Sequence, residues 1–336
     1  RRRSGGAGSM ASRVHARPGL QGQPRRTRVS RRVVIVFGAL ALIFGGILVA
    51  VPPVMIGSMI HGHVDFGTVY PAEEFGLAAE KVTLETMDGV RIVAYDVDHQ
   101  EPKAVVIFIS GIQNPSVTAF FGHARMLREH GYASVLYEMR AHGESQGDVV
   151  SLGYKEWMDT RAVVDYITAQ ERYAGVPIVV FGLSMGGAVA INSIANLPEI
   201  GGLIALSAYS SFADVFADQM LRLGAGTLLA AIERVIASVY LAHKFDSSDM
   251  VPIKQIERLG DRPALLIHSE EDTQVPYASF TRLVERAPGH VETWTRPGNA
   301  HMIARDFLDP RNDEEYAERI LGFLERHFGG QSSSFH

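Results

Sequence analysis

The chain has no cysteine in 336 residues. That absence excludes a disulfide framework, a thiolate nucleophile, cysteine-ligated zinc and iron–sulfur chemistry, and leaves the compartment open. Acidic residues are missing from residues 1–32, which hold ten arginines, so the formal charge of −5 conceals a body with 22 basic and 37 acidic residues. Such an acidic body lacks the basic surface that phosphate neutralisation needs, which argues against nucleic acid as a partner. No glycine-rich phosphate loop follows a strand-like run and no internal repeat is present, so nucleotide dependence and repeat architectures have no support. At this length a fold buries roughly three quarters of its unfolded surface. The 46% hydrophobic content supplies a substantial core.

Charge is also missing from Val33 to Ile60, 28 consecutive residues, of which Val33–Val51 are apolar or glycine throughout. That is long enough to cross a bilayer as a helix, and too uniformly apolar for an ordinary core helix. A cleaved signal peptide would have a shorter apolar region and a small-residue cleavage site; Val51-Pro52-Pro53-Val54 follows instead, which favours an uncleaved anchor. The proline pair is expected to kink or end the helix. Arg25, Arg26, Arg28, Arg31 and Arg32 precede the span and no Lys or Arg follows until Lys81. The positive-inside rule then puts the N-terminus in the cytoplasm and the body outside it, periplasmic in a bacterium. An organelle transit sequence is the alternative reading of the arginine-rich leader. Residues before Met10 are set aside. The chain parses into a basic tail (1–32), an anchor (33–56), a linker (57–79) and one catalytic domain (80–330).

In the body, short β-branched runs alternate with amphipathic segments, the pattern of a mostly parallel sheet covered on both faces. Eight strands are predicted: Lys81–Thr86, Arg91–Val97, Ala104–Ser110, Ser134–Met139, Ile178–Phe181, Leu203–Ser207, Ala264–His268 and Val291–Thr295. Helices fall between them, clearest over Tyr154–Tyr173, with Trp157, Val164 and Ile167 on one face, and over Asp313–Phe328, with Tyr316, Ile320 and Leu324 in line. The interval 209–260 is too long for an ordinary crossover and reads as a helical lid. Within it Leu228, Leu229, Ile232, Val235, Ile236 and Val239 form an apolar stripe. The stripe either packs the lid onto the body or lines an acyl pocket.

Val179-Val180-Phe181-Gly182-Leu183-Ser184-Met185-Gly186-Gly187 reads as a buried strand, a sharp turn and a helix start, with the Gly-x-Ser-x-Gly spacing of a nucleophile elbow. Exposing the serine hydroxyl demands a strained backbone, and side chains two residues either way would collide, which explains Gly182 and Gly186. The N–H of Met185, at the helix start, is aimed at a developing oxyanion. A serine hydroxyl needs a histidine base and an acid to orient it, here in the order Ser, Asp, His. Asp272 and His301 each lie just beyond a predicted strand, at the sheet edge where open α/β folds place their sites. Glu270 and Glu271 compete with Asp272 for the acid's role. His61-Gly62-His63 has metal-like spacing but no third ligand in reach, and reads as solvated loop histidines.

With these residues assembled, the chain resembles the α/β-hydrolase superfamily over about residues 80–328, and more narrowly its serine-aminopeptidase-like and lysophospholipase-like hydrolases. The resemblance rests on Gly182-Leu183-Ser184-Met185-Gly186-Gly187, Glu270-Glu271-Asp272 with Val275-Pro276, Gly298-Asn299-Ala300-His301 and Arg140-Ala141-His142-Gly143-Glu144-Ser145. Phe245-Asp246-Ser247-Ser248 is similar to members with a short lid. Where the family usually has His-Gly after the third strand, this chain has Ser110-Gly111-Ile112-Gln113-Asn114; Ile112 is the choice by position for the second oxyanion N–H. The resemblance implies a serine hydrolase with a Ser184–His301–Asp272 triad and no cofactor. The preferred substrate is a small-molecule ester or lipid-like molecule. Two alternatives stand beside it. One is a serine peptidase of aminopeptidase type, for which Glu233 in the lid is the acid available to a free amino terminus; the other is a non-catalytic hydrolase-fold binding module.

Overall fold

The computed structural model describes residues 30–113 and 115–330. Most of the basic tail, residues 1–29, and Asn114 of the loop after the third strand lie outside the described residues. The chain divides into two compact units, 1–46 and 47–336. The first contributes the beginning of helix α1, Arg31–Ile60, whose most apolar stretch has a mean hydropathy of 2.9. The helix runs through Pro52 and Pro53 to Ile60, so of the two expected outcomes, a kink or an end, the proline pair does not end it. Its last turns belong to the second unit, where Ile56 and Ile60 are fully buried in the core, and this packing supports the helix beyond two residues that cannot donate backbone hydrogen bonds.

The second unit is built on one eight-stranded sheet: β1 (Glu80–Glu85), β2 (Arg91–Val97), β3 (Val105–Ile109), β4 (Ala133–Glu138), β5 (Ile178–Leu183), β6 (Ile200–Leu206), β7 (Ala264–Ser269) and β8 (Glu292–Arg296). The spatial order is β1-β2-β4-β3-β5-β6-β7-β8. β2 runs antiparallel to β1 and β4, and every other pairing is parallel. Central strands are buried along their whole length, because helices cover both faces of a parallel sheet. Successive residues of β5 enter opposite cores: Val180 faces one, Val179 and Phe181 the other. β6 begins at Ile200, before its expected start at Leu203; Gly201 and Gly202 carry no strand signal, and the ring of Phe328 fills the space over Gly202.

The crossovers and flanks supply α2 (Phe121–Glu129), α3 (Trp157–Ala169), α4 (Met185–Asn196), α5 (Phe212–Arg222), α6 (Thr227–Lys244), α7 (Pro252–Gln255), α8 (Ala278–Arg286) and α9 (Glu314–Phe328). α3 is shorter than its predicted span, which ends in a separate 3₁₀ turn, Glu171–Tyr173. The interval 209–260 holds α5, α6 and α7. α6 turns Ala230, Glu233, Ala237 and Leu241 inward, whereas Leu228, Ile232, Val235 and Val239 are exposed. Leu229 and Ile236 of the stripe are half-buried, and Val235 and Val239 border an open hollow of about 410 Å³ beside Tyr154 and Asp214 rather than a pocket at Ser184.

Candidate active site

Ser184 sits between β5 and α4 with φ 57° and ψ −119°, a conformation that L-residues rarely adopt and that persists only where its surroundings over-determine it. The glycines make it possible. A Cβ on Gly182 would overlap the Gly186 carbonyl, and one on Gly186 would overlap the carbonyls of Ile109 and Ser110. Ser184 N–H donates to Leu206 O at 2.8 Å, tying the elbow to the end of β6.

Asp272 follows β7 and His301 follows β8. His301 Nδ1 donates to Asp272 Oδ2 at 2.7 Å, and the N–H groups of Gln274 and Val275 donate to Asp272 Oδ1 at 2.8 and 3.0 Å. Burial opposes ionisation of Asp272, but these donors, that of His301 foremost, outweigh it and hold the carboxyl below its ordinary value. With Nδ1–H committed to Asp272, Nε2 is the nitrogen left to accept a proton. The His301 carbonyl accepts from Ser207 Oγ at 2.7 Å, one residue beyond Leu206, so Ser184 and His301 are fastened to the same end of β6. No hydrogen bond joins Ser184 Oγ to His301 here; such contacts commonly tighten only with substrate. Of the competing acids, Glu270 accepts from Thr295 at 3.0 Å and Glu271 is exposed. Only Asp272 reaches His301.

The loop after β3 packs on the elbow, an added Cβ on Gly111 lying 3.5 Å from Ser184 Cβ. The turn after β4 holds that loop: His142, fully buried, sets Nδ1 2.8 Å from Arg140 O and Nε2 3.0 Å from Ile112 O. Arg140 is itself anchored. Its Nε and Nη2 donate to Asp159 Oδ1 at 2.9 and 2.8 Å, its backbone N–H to Asp159 Oδ2 at 2.9 Å, and its Nη1 and Nη2 to Asp88 at 2.8 and 3.0 Å. Hydrogen bonding to Arg140 draws Asp88 down to about 2. Of the two histidines after α1, both exposed as expected, His63 joins this assembly. His63 Nδ1 and Nε2 lie 2.9 and 2.7 Å from the carbonyls of Gly147 and Gly143, two acceptors that raise its pKa. This role of His63 needs the 141–147 turn to arrive from elsewhere in the chain, so local spacing carried no sign of it.

A cavity of about 510 Å³ opens at Ser184 and Met185, lined by Ile112, Tyr209, Phe212, Val215 and Phe216, and by Met55, Ile56, Ser58 and Met59 of α1. Among the described residues, no charged side chain lines it. Glu233 is outside this lining, and its buried carboxylate oxygens have no hydrogen-bond partner. A larger open hollow of about 1060 Å³, beside Lys103, Tyr132 and α9, lies away from the elbow and holds none of these groups. The wall from α1 is the part sequence reasoning missed: an apolar run of bilayer length carries no mark distinguishing residues that line a site.

A strained serine on a strand–turn–helix elbow, in a mostly parallel sheet whose second strand alone is reversed, defines an α/β hydrolase. Residues 100–258 match the family described as "Serine aminopeptidase, S33". The uncharacterized protein YqkD of Bacillus subtilis is 25% identical over 245 residues, 70% of this chain and 76% of the relative. An uncharacterized protein of Mycobacterium tuberculosis is 30% identical over 210 residues, 57% of this chain and 70% of its own. An uncharacterized membrane protein of Saccharomyces cerevisiae is 24% identical over 44% of this chain and 55% of its own. Among solved structures, the esterase Pf2001 of Pyrococcus furiosus superposes with a TM-score of 0.63 at 22% identity, covering 80% of this chain and 100% of that one. The chain belongs to the α/β-hydrolase superfamily, and its residues 100–258 are similar to the serine-aminopeptidase-like members.

Proposed function

We propose that this chain is a membrane-anchored serine hydrolase that cleaves carboxylic esters with apolar acyl groups. Ser184 Oγ attacks the acyl carbon while His301 Nε2 takes its proton, and the N–H groups of Met185 and Ile112 receive the oxyanion. Collapse of the tetrahedral intermediate expels the alcohol with the proton from His301. Water, activated by the same histidine, then releases the acid from the acyl-enzyme. Asp272 holds the imidazole and balances its charge. The chemistry requires no cofactor.

The observation carrying the substrate class is the cavity at Ser184, whose mainly apolar walls, with Gln113, Gln219 and Gln274 as polar members, suit an acyl chain and among the described residues present no acid to a peptide's free amino group. Each buried CH₂ contributes about 0.8 kcal/mol, a rise of roughly fourfold in kcat/KM per methylene while the chain still finds wall. p-Nitrophenyl esters from acetyl to octanoyl are therefore expected to improve with length. Met59→Trp, which fills the cavity from its α1 side, should penalise octanoyl and spare acetyl. A flat profile, or hydrolysis of aminoacyl amides in preference to esters, would overturn the ester reading; equal losses on both esters would remove the cavity as the acyl site.

Anchoring rests on α1, and the arginines before it together with their absence after it support a cytoplasmic N-terminus. A reporter active only in the cytoplasm, fused at Gly330, should stay silent; activity would reverse the orientation.

A further inference from the structure

The lid concentrates apolar surface that the fold leaves uncovered. Along α6, Leu228, Ile232, Val235 and Val239 follow steps of four, three and four residues, which puts them on one helix face opposite the inward Ala230, Ala237 and Leu241. Their exposures are 75, 38, 61 and 65%, and Leu221 and Leu223, at the turn between α5 and α6, add 40 and 86%. Beyond α1, ten large apolar side chains among the described residues are this exposed, and six of them are these. Single exposed apolar residues are ordinary; six within nineteen positions form a patch that needs a partner.

Two observations identify the partner. First, α6 meets the last turns of α1: Tyr240 Oη is 3.5 Å from where a Cβ on Gly57 would lie, and Lys244 Nζ is 3.0 Å from His61 Nε2. Whatever surface receives α1 is therefore within reach of α6. Second, cations stand at the ends of the stripe, Arg222 of α5 before it, its Nη1 2.6 Å from Thr273 O, and Lys244 after it, the arrangement of an apolar face lying at a lipid surface with its charges at the headgroup level. Within the stripe's span, Arg234 is turned aside to Asp214.

We propose that the exposed face of α6, with the α5–α6 turn, rests on the lipid bilayer that holds α1. This rests on the reading of α1 as an anchor. It would set the catalytic unit flat against its substrate source, since Met55 and Met59, which line the cavity, are also half-exposed.

The cysteine-free chain makes the test direct. Single variants Val235→Cys and Val239→Cys, with Leu42→Cys in α1 and Glu171→Cys on the body as references, are labelled with an environment-sensitive fluorophore. The full-length protein is reconstituted in vesicles of phosphatidylcholine and phosphatidylglycerol. Labels at 235 and 239 are expected to lose about half of their emission to brominated phospholipid and to be shielded from aqueous iodide, as at 42 and unlike 171. Lipid quenching at 42 with 235 and 239 as open to iodide as 171 overturns the proposal and leaves the anchor standing. Shielding of 235 and 239 from both quenchers, with energy transfer between labelled copies, overturns it in favour of a second copy of this chain. Iodide access at 42 overturns the anchor, and the proposal with it.

Discussion

Ser184→Ala is expected to lose ester turnover by a factor on the order of 10⁶, and His301→Ala to lose as much, because nucleophile and base act as one unit and either deletion disables both. Asp272→Asn should cost about 10⁴: the amide keeps the shape but presents the wrong hydrogen-bonding partner to His301 Nδ1. Asp272 also caps the N–H groups of Gln274 and Val275, so the asparagine variant retains an acceptor for them and the loop should hold. A fluorophosphonate probe should label the wild type at Ser184 and none of the Ser184→Ala protein, with circular dichroism unchanged. Absence of labelling in folded wild type would favour a non-catalytic binding module. Survival of Asp272→Asn alongside loss in Glu271→Gln would move the acid.

The second large effect is on stability. Asp159 is fully buried, and burial pushes its carboxyl up against the three donors of Arg140 that favour its charged form. Arg140→Ala removes the two side-chain donors and strands that charge, an expected loss of about 3–5 kcal/mol, read as a lowered denaturation midpoint in detergent. Pairing Arg140→Met with Asp159→Leu should recover part of it, since no fully buried charge is then left unpaired, although the residue-140 N–H loses its acceptor and Asp88 its partner. A single variant as stable as wild type would show that the pair is dispensable. Activity should fall as well in Arg140→Ala, because the turn it anchors carries His142 to the Ile112 carbonyl.

Much of the fold was legible because its signals are local. β3 and β5 are short β-branched runs, and Gly182-Leu183-Ser184-Met185-Gly186 records a steric demand in its own spacing. Asp272 and His301 could be marked as strand-end residues, but three neighbouring acids satisfied that description equally. Which of them reaches His301 at 2.7 Å depends on how the turn after β7 folds beside the loop after β8. Likewise, the apolar stripe of α6 declared a helix with two unlike faces without saying which face turns inward. Small residues let α6 approach the body closely at Ala230 and Ala237, and the larger Leu228, Val235 and Val239 were left outside.

By itself, then, the sequence determined the features that period, composition and steric exclusion dictate: an eight-stranded α/β hydrolase sheet, the elbow at Ser184, and a helix of bilayer length before it. Tertiary structure alone decided that this helix continues through Pro52 and Pro53, buries Ile56 and Ile60, and gives Met55 and Met59 to the wall of the cavity. It also decided that His63 clamps the 141–147 turn. Contacts between residues separated by eighty or more positions leave no local trace, because what selects them is the shape and hydrogen-bonding of a surface that exists only after the sheet has formed.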